Sequence, residues 1–451
     1  MHSHHLSYGE KALRNSLKKI IFCITTITLL ITSGCSIGAP VGASSNAQKD
    51  GLTVWVMQDD FTDETIQAIN REFTKQTGVK VNLQVQPWDG IDTKVTTALS
   101  TANPPDIIDM GNTKILDYAM SGGLLDLSGY TSSFENSKYW IEGLEKPATY
   151  NNKLYGIPAF AATRTVIYNK KMWQEAGVTQ TPTTYNEFVE ALTKIQKAHT
   201  DSDFSALYMP GQNWFSGMQY IWDAGGELAI QDGTTWKAQA SSSKVQEGLQ
   251  RWAKLQHDFS TPASQTAAPN NPDQAQILAQ GRASAILWNS ASINKAIGIN
   301  NTLTRKDFGT FPMPSTTGKG IMPSVVAGSD WAIPARSANA SLAITWISIA
   351  TSEKIQEKWI MDHDGWLPNN TKLLEKRLQS DDLDETLRGF YEAAIYTKSV
   401  PAAPGWSTIE ADGSIRELFS NVAQNPSNIK AATQAFDNHA NKILAQGGSN
   451  E

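Results

Sequence analysis

Leu52-Thr53-Val54-Trp55-Val56 is followed by Asp63, heading a segment in which Ile66, Ile69 and Phe73 recur at helical spacing up to Gly78, and then by Val79, Val81, Leu83 and Val85 alternating with polar residues. The first run reads as a strand, the second as an amphipathic helix capped by Asp63 and stopped by Gly78, and the third as another strand. Pro87 ends that strand, a further helix starts near Ile91, and Pro104-Pro105 precedes the short apolar pair Ile107-Ile108. Strand and helix alternate, which predicts a parallel sheet with covering helices and an α/β fold class.

Further along, Asn151-Asn152-Lys153-Leu154-Tyr155-Gly156-Ile157-Pro158 reads as a turn and an extended segment, and Thr165-Val166-Ile167-Tyr168-Asn169 as a strand. A crossing between two lobes is placed here. Thr184 and Glu187 have the spacing of a capping box ahead of a helix that carries Tyr185, Phe188, Leu192 and Ile195 on one face. Helices are expected near Lys244 to His257 and Gln274 to Gln280, a buried strand over Ala283 to Trp288, and a second extended crossing at Phe308-Gly309-Thr310-Phe311-Pro312-Met313-Pro314. After a return strand, helices dominate from Ala338 onward. A chain of 451 residues is long enough to divide into two or more core-bearing units.

Ahead of the folded part, Lys11, Arg14, Lys18 and Lys19 precede the apolar run Ile20 to Ile31, and Thr32-Ser33-Gly34-Cys35 follows it. The run is about a dozen residues, short of the ~20 that a spanning helix needs. It resembles a bacterial lipoprotein signal, with lipidation expected at Cys35 and Thr32 standing where such signals usually carry a larger aliphatic residue. The alternatives are an ordinary secretory signal with an incidental cysteine, or a short anchor that is never cut. Residues 1–35 are thus expected to be the leader, and the Gly, Ala, Ser, Pro and Asn-rich residues 36–50 a flexible spacer.

Cys23 and Cys35 are the two cysteines of the chain, so the body after Cys35 has no thiol and no disulfide. The chain has 38 Lys+Arg and 44 Asp+Glu; losing four basic residues and Glu10 with the leader leaves 34 against 43. An acidic body argues against nucleic acid as a partner. No other apolar stretch nears spanning length, so the lipid would be the sole attachment to the membrane. Tryptophan is abundant, 14 residues against 14 Phe and 12 Tyr. An indole offers a large apolar face and one N–H donor, which suits a ligand that is partly apolar and partly polar.

The order of motifs resembles the family 1 extracellular solute-binding proteins of ABC importers, the maltose-binding-protein-like group. The stretches that carry the resemblance are Pro104-Pro105-Asp106-Ile107-Ile108-Asp109, Gly122-Gly123-Leu124-Leu125-Asp126-Leu127, Tyr155-Gly156-Ile157-Pro158, Ile167-Tyr168-Asn169-Lys170, Gln280-Gly281-Arg282-Ala283-Ser284-Ala285 and Ala327-Gly328-Ser329-Asp330-Trp331-Ala332-Ile333-Pro334. It implies a two-lobed periplasmic-binding-protein-like fold (type II), the lobes joined by crossover strands with the ligand cleft between them. The N-terminal lobe is expected to comprise residues 51–160 plus 313–350, and the C-terminal lobe 161–312 plus 351–451.

Ligands of open α/β sheets collect at the carboxyl ends of strands. The loops there carry Met57-Gln58-Asp59-Asp60, Met110-Gly111-Asn112 and Asn289-Ser290. Their amide and carboxylate groups suit sugar hydroxyls, and aromatic plates suit the C–H faces of a sugar. The expected ligand set is Asp60, Trp88, Asn112, Phe160, Trp214, Trp222, Asp223, Trp288, Asn289, Trp331 and Trp406. Seven have a plainer reading: Asp60 as a helix cap, Asn112 as a turn residue, Trp214 as an exposed loop aromatic, Trp222 as packing, Trp88 and Phe160 as lids on a core, and Trp288 as core; Trp331 and Trp406, in Gly/Pro/Ser-rich surroundings, are expected as wall residues. Trp252, Trp346 and Trp359 lie in helical patterns and are assigned to packing.

No metal, cofactor or catalytic residue is expected: His199, His257, His363 and His439 are scattered, and there is no phosphate loop or His-Glu-x-x-His element. The function expected is that of a non-enzymatic, monomeric receptor on the outer face of the cell membrane, capturing an oligosaccharide and delivering it to the permease subunits of an ABC transporter. Two alternatives stay open. One is an anchored glycoside hydrolase or lyase, with Asp223 or Glu227 opposing Asp59-Asp60. The other is a receptor for a peptide, polyamine or metal, with Arg164 near the crossing as the residue able to clamp a carboxylate.

Overall fold

One interior strand of the first sheet is apolar along nearly its whole length because it is covered on both faces. This is β1 (Leu52–Met57); β2 (Val81–Gln86) pairs with it in parallel on one side and β3 (Ile107–Gly111) on the other. The computed structural model that establishes this describes residues 51–447 apart from Thr234. The expected leader, its Cys35 and the spacer lie outside the described residues. β2 is the edge strand, which explains why Val85 is exposed in spite of the alternating pattern. The helix Asp63–Thr77 buries Ile66, Ile69 and Phe73 and stops at Gly78 in the left-handed conformation. Its cap is Thr62, whose side chain accepts from the Thr65 N–H; Asp63 instead stands in the first turn, where its charge complements the helix dipole.

The first sheet is completed by β4 (Ile157–Ala162) and by a strand that returns from far along the chain, called β9 below (Ala327–Ala332), in the spatial order β2-β1-β3-β9-β4. The return strand runs antiparallel to both neighbours, Ser329 opposite Gly111 and Ala327 opposite Ala162. Gly328 is required there by close approach, since a Cβ would sit 2.1 Å from the Phe160 carbonyl oxygen.

The second sheet places β5 (Thr165–Asn169) between β6 (Ala285–Trp288) and β7 (Phe308–Phe311), both antiparallel to it. Phe308 to Phe311 was expected as a crossing; it is a sheet strand, paired with the strand over Thr165–Asn169 and with both Phe rings buried, Phe311 in the second core and Phe308 in a neighbouring cluster. The chain passes between the sheets at Thr163-Arg164, inside the stretch where the first crossing was placed, and returns not at Phe308–Phe311 but at β8 (Ser324–Val325) running into β9, with β10 (Thr397–Lys398) parallel beside β8. Thr184 and Glu187 form the expected capping box on helix Tyr185–Ala198.

Thr165 lies opposite Trp288, and Val166 opposite Phe311. The carboxyl ends of β1, β3 and β4 and the start of β9 therefore share one edge of the first sheet. The start of β5 shares an edge of the second with the ends of β6 and β7. Two residues separate β4 from β5, so both edges meet at the crossing.

Each sheet has its own core. Trp346, Ile347 and the β1 and β3 side chains pack on one; Phe188, Leu192, Ile195, Trp252 and Phe419 pack on the other. The first core reaches past residue 350 through Ile355 and Ile360. Among the described residues no helix is long and apolar enough to cross a membrane.

Candidate functional site

At the end of β1 the chain turns through Asp59 in the left-handed conformation, and the Asp60 N–H closes the turn on the Met57 carbonyl at 3.3 Å. That turn aims Asp60 inward. Its Oδ2 accepts from Ser329 Oγ at 2.7 Å at the start of β9, and its backbone carbonyl accepts from Trp366 Nε1 at 2.7 Å. Burial pushes the Asp60 carboxyl up to about 6, against the bond from Ser329. Beneath it Asp109 is wholly buried. The Met57 N–H donates to Asp109 Oδ2 at 2.9 Å while Oδ1 has no partner, and burial first, then the Asp60 charge, hold this carboxyl well above the usual range.

Trp88 is the exposed aromatic residue of this edge. Its ring is 45% exposed and covers Gly111, and its Nε1 donates to the Gln58 carbonyl at 3.1 Å. Asn112 is buried beside it, and its Nδ2 donates to the Gly143 carbonyl at 3.4 Å. Of the first-sheet candidates, the structure brings Asp60, Trp88 and Asn112 together at one edge.

On the second edge Trp288 closes β6 and Asn289 follows it, half-buried. The Arg164 guanidinium carbon lies 4.2 Å from the Phe215 ring centre and 5.1 Å from that of Trp288. Phe215 and Trp288 meet edge to face at 6.2 Å, and Trp214 stacks on Phe215 at 4.0 Å and 27°. Asn213 makes this possible. Its side chain accepts from the Ser216 N–H and caps helix Trp214–Asp223, so Trp214 and Phe215 occupy a helical first turn rather than a loop. Trp214 consequently points into the second core, and Phe215 is the ring left partly open. Trp214, expected as a ligand residue on a polar loop, is instead buried in the first turn of a helix.

Four further candidates fall elsewhere. Trp331 is 1% exposed, stacked on Phe61 at 5.0 Å and edge-on to Trp346 at 4.8 Å; its position on a strand under helical cover outweighs its glycine-rich neighbourhood. Phe160 is buried between Phe61 and Trp366. Trp222 is buried in the second core with its Nε1 on Glu227 at 3.0 Å. Asp223 accepts from Ser315 Oγ, from the Thr316 N–H at 2.9 Å and from the Thr316 hydroxyl, so it secures the turn after β7. Trp331, Phe160 and Trp222 are buried among neighbouring side chains and Asp223 holds a turn, so none of the four stands open at a sheet edge as Trp88 does.

Trp406 is buried too, but at a junction. Its Nε1 donates to Glu410 at 3.0 Å, and it lines a cleft of about 10 Å³ with Thr113, Asp117 and Ser407. Ser407 donates to Asp117 there, and burial pushes the Glu410 carboxyl up to about 7. Phe215, Ser329 and Glu410 were not among the sequence candidates. Phe215 had a visible signal, its place beside Trp214 and two residues after Asn213; Ser329 and Glu410 had none, since only tertiary contacts bury them.

A wider depression of about 2040 Å³ opens between Leu116 to Ser121, the hairpin around Trp236 and the segment from Tyr396 to Gly405. None of the expected ligand residues lines it, although Glu227 of the hydrolase alternative does. Among the described residues no group of three or more His, Cys, Asp or Glu is placed to hold a metal ion.

Residues 58–357 match the family described as bacterial extracellular solute-binding protein. The diacetylchitobiose binding protein DasA of Streptomyces coelicolor is 31% identical over 438 residues, spanning 95% of this chain and 99% of that protein. Among solved structures, the sugar-binding protein MalE of Xanthomonas citri superposes with a TM-score of 0.76 at 20% identity, covering 88% of this chain and 98% of that one. The maltose-binding protein MalE of Listeria monocytogenes, in complex with maltose, gives 0.73 at 18% identity and covers 88% and 98%. The two structures share the fold.

Proposed function

This chain belongs to the bacterial extracellular solute-binding proteins, and on that premise we propose that it is the extracellular binding component of an ABC importer, capturing an oligosaccharide and delivering it intact to the permease. The similarity to a diacetylchitobiose-binding protein over 95% of the chain supports a sugar as cargo. The observation that carries the reading is the placement of an open indole, Trp88, with Asp60 at one sheet edge, and of Phe215 and Trp288 at the other. Aromatic faces take the C–H surface of a sugar, and carboxylate and amide groups take its hydroxyls.

In this reading the sheets belong to two lobes, residues 51–160 with 313–350 and residues 161–312 with 351–451, with Ile355 and Ile360 moved to the first by their core contacts. Contacts made with both lobes exist only when the lobes close, so ligand shifts the population toward the closed form that the permease reads. Micromolar capture needs about 8 kcal/mol, within reach of a few ring stacks and several hydroxyl bonds. A lipid on Cys35 would hold the receptor, as a monomer, at the outer face of the membrane.

The hydrolase alternative is disfavoured by two occupied carboxylates: Asp223 holds the 315–316 turn, and Glu227 is tied to Trp222 and to Lys398 at 2.6 Å. Titration calorimetry with chito-, malto- and arabino-oligosaccharides, followed by analysis of the recovered sugar, tests the whole reading. Saturable binding of one series with the sugar returned uncut is expected. No binding by any series, or shortened products, refutes it.

A further inference from the structure

Arg164 is the group that the receptor reading leaves unused. Its side chain is 7% exposed, yet no carboxylate oxygen lies within 4 Å among the described residues, and its Nε–H has no acceptor. One bond is made by the fork itself, a long 3.4 Å contact from Nη1 to the Val325 carbonyl. Burial alone draws its pKa down, to about 10, with no acidic neighbour to oppose the shift. A guanidinium carries five N–H donors and is ordinarily buried only when paired or bidentately bonded.

Its position is what gives this meaning. Arg164 is the residue before β5, and Thr165 beside it lies opposite Trp288, so the fork stands at the second sheet edge between the two rings. The Arg164 N–H is pinned to Ser324 Oγ at 3.1 Å, which ties two crossing segments together at this point. The ring faces hold the guanidinium plane but offer no oxygen, because cation–π attraction leaves the N–H donors at the rim unsatisfied.

We propose that Arg164 determines specificity: it donates to a planar acceptor oxygen carried on the sugar, an acetamido carbonyl or a uronate carboxylate, so the captured glycan is N-acylated or acidic rather than purely hydroxylic. A site built with donors for such an oxygen rejects a ligand that lacks it, because the buried donors then stay unpaired. This rests on the receptor reading given above.

The test is titration of the full chain, purified in detergent, with N,N′-diacetylchitobiose, its de-N-acetylated counterpart, a digalacturonate and cellobiose, for the wild type and for Arg164→Lys. The wild type is expected to bind the diacetylated or the uronic disaccharide at least tenfold more tightly than cellobiose, and whichever arm wins identifies the acceptor. Arg164→Lys keeps the charge and loses the fork, so the margin is expected to shrink toward unity with an unchanged far-ultraviolet spectrum. Cellobiose bound by the wild type as tightly as the diacetylated and the uronic disaccharides overturns the inference while leaving the receptor reading intact, and so does a margin that survives in Arg164→Lys. If the variant does not fold, the wild-type comparison decides alone. Absence of binding to every sugar in this panel and in the wider one overturns the receptor reading and the inference together.

Discussion

Ser329 Oγ donates to Asp60 Oδ2 at 2.7 Å across 269 residues of sequence. That bond joins the loop after β1 to the start of β9, so a strand that arrives late in the chain completes the polar edge begun by the first one. It also leaves a carboxylate buried beside a second acid, Asp109, which sets a pH dependence.

Asp60 titrates at about 6 in the folded protein against an ordinary 3.8, chiefly through burial. Between those values the unfolded chain sheds its proton first, so the folded state binds more protons and stability falls as pH rises from about 4 through 6. Relative to Asp60→Asn, the wild type is expected to lose up to about 3 kcal/mol between pH 4 and pH 7, two pKa units at about 1.4 kcal/mol each. Urea titrations of both proteins across that range check it; a wild type that gains on the variant as pH rises contradicts the burial of the charge.

Trp88 and Trp331 are opposites. Trp331→Ala is expected to cost about 3–5 kcal/mol of stability, as removal of a fully buried ring does, while the molecules that remain folded bind sugar normally. Trp88→Ala is expected to change stability by less than about 0.5 kcal/mol and to weaken sugar binding by about 1–2 kcal/mol, the worth of one ring stack. Denaturation and calorimetry on both variants separate the roles, and an unchanged affinity in Trp88→Ala removes it from the site.

The wide depression of about 2040 Å³ is a rival location for the ligand, since large concave cavities are where ligands are ordinarily sought. Trp236→Ala and Tyr396→Ala alter its lining. Both are expected to leave sugar affinity within a factor of two; a tenfold loss in either would move the site there.

Lipidation at Cys35 has a direct assay. The wild type, expressed in a bacterium, is expected to partition into the detergent phase on cloud-point extraction, and Cys35→Ala into the aqueous phase. Equal partitioning of the two would leave no role for a lipid on that residue.

How much of this was readable beforehand follows from range. The strand at Leu52, the helix over Ile66, Ile69 and Phe73, and the Thr184–Glu187 capping box depend on neighbours within four residues, and they were found where the pattern put them. Phe308 to Phe311 was misplaced because extended backbone looks alike in a crossing and in a sheet; only the pairing with β5 tells them apart. The same limit governed the tryptophans. Trp331 among glycines resembles a wall residue until Phe61 and Trp346 close on it, and Trp214 resembles a loop residue until Asn213 caps its helix.

Periodicity determined the α/β class, because alternation of strand and helix is a local property, and the order of the motifs carried the resemblance to solute-binding proteins. Which side chains stay open at the two sheet edges was decided only by the fold. Exposure depends on what arrives from elsewhere in the chain: Ser329 on Asp60, Gly111 beneath Trp88, and Phe215 and Trp288 around Arg164.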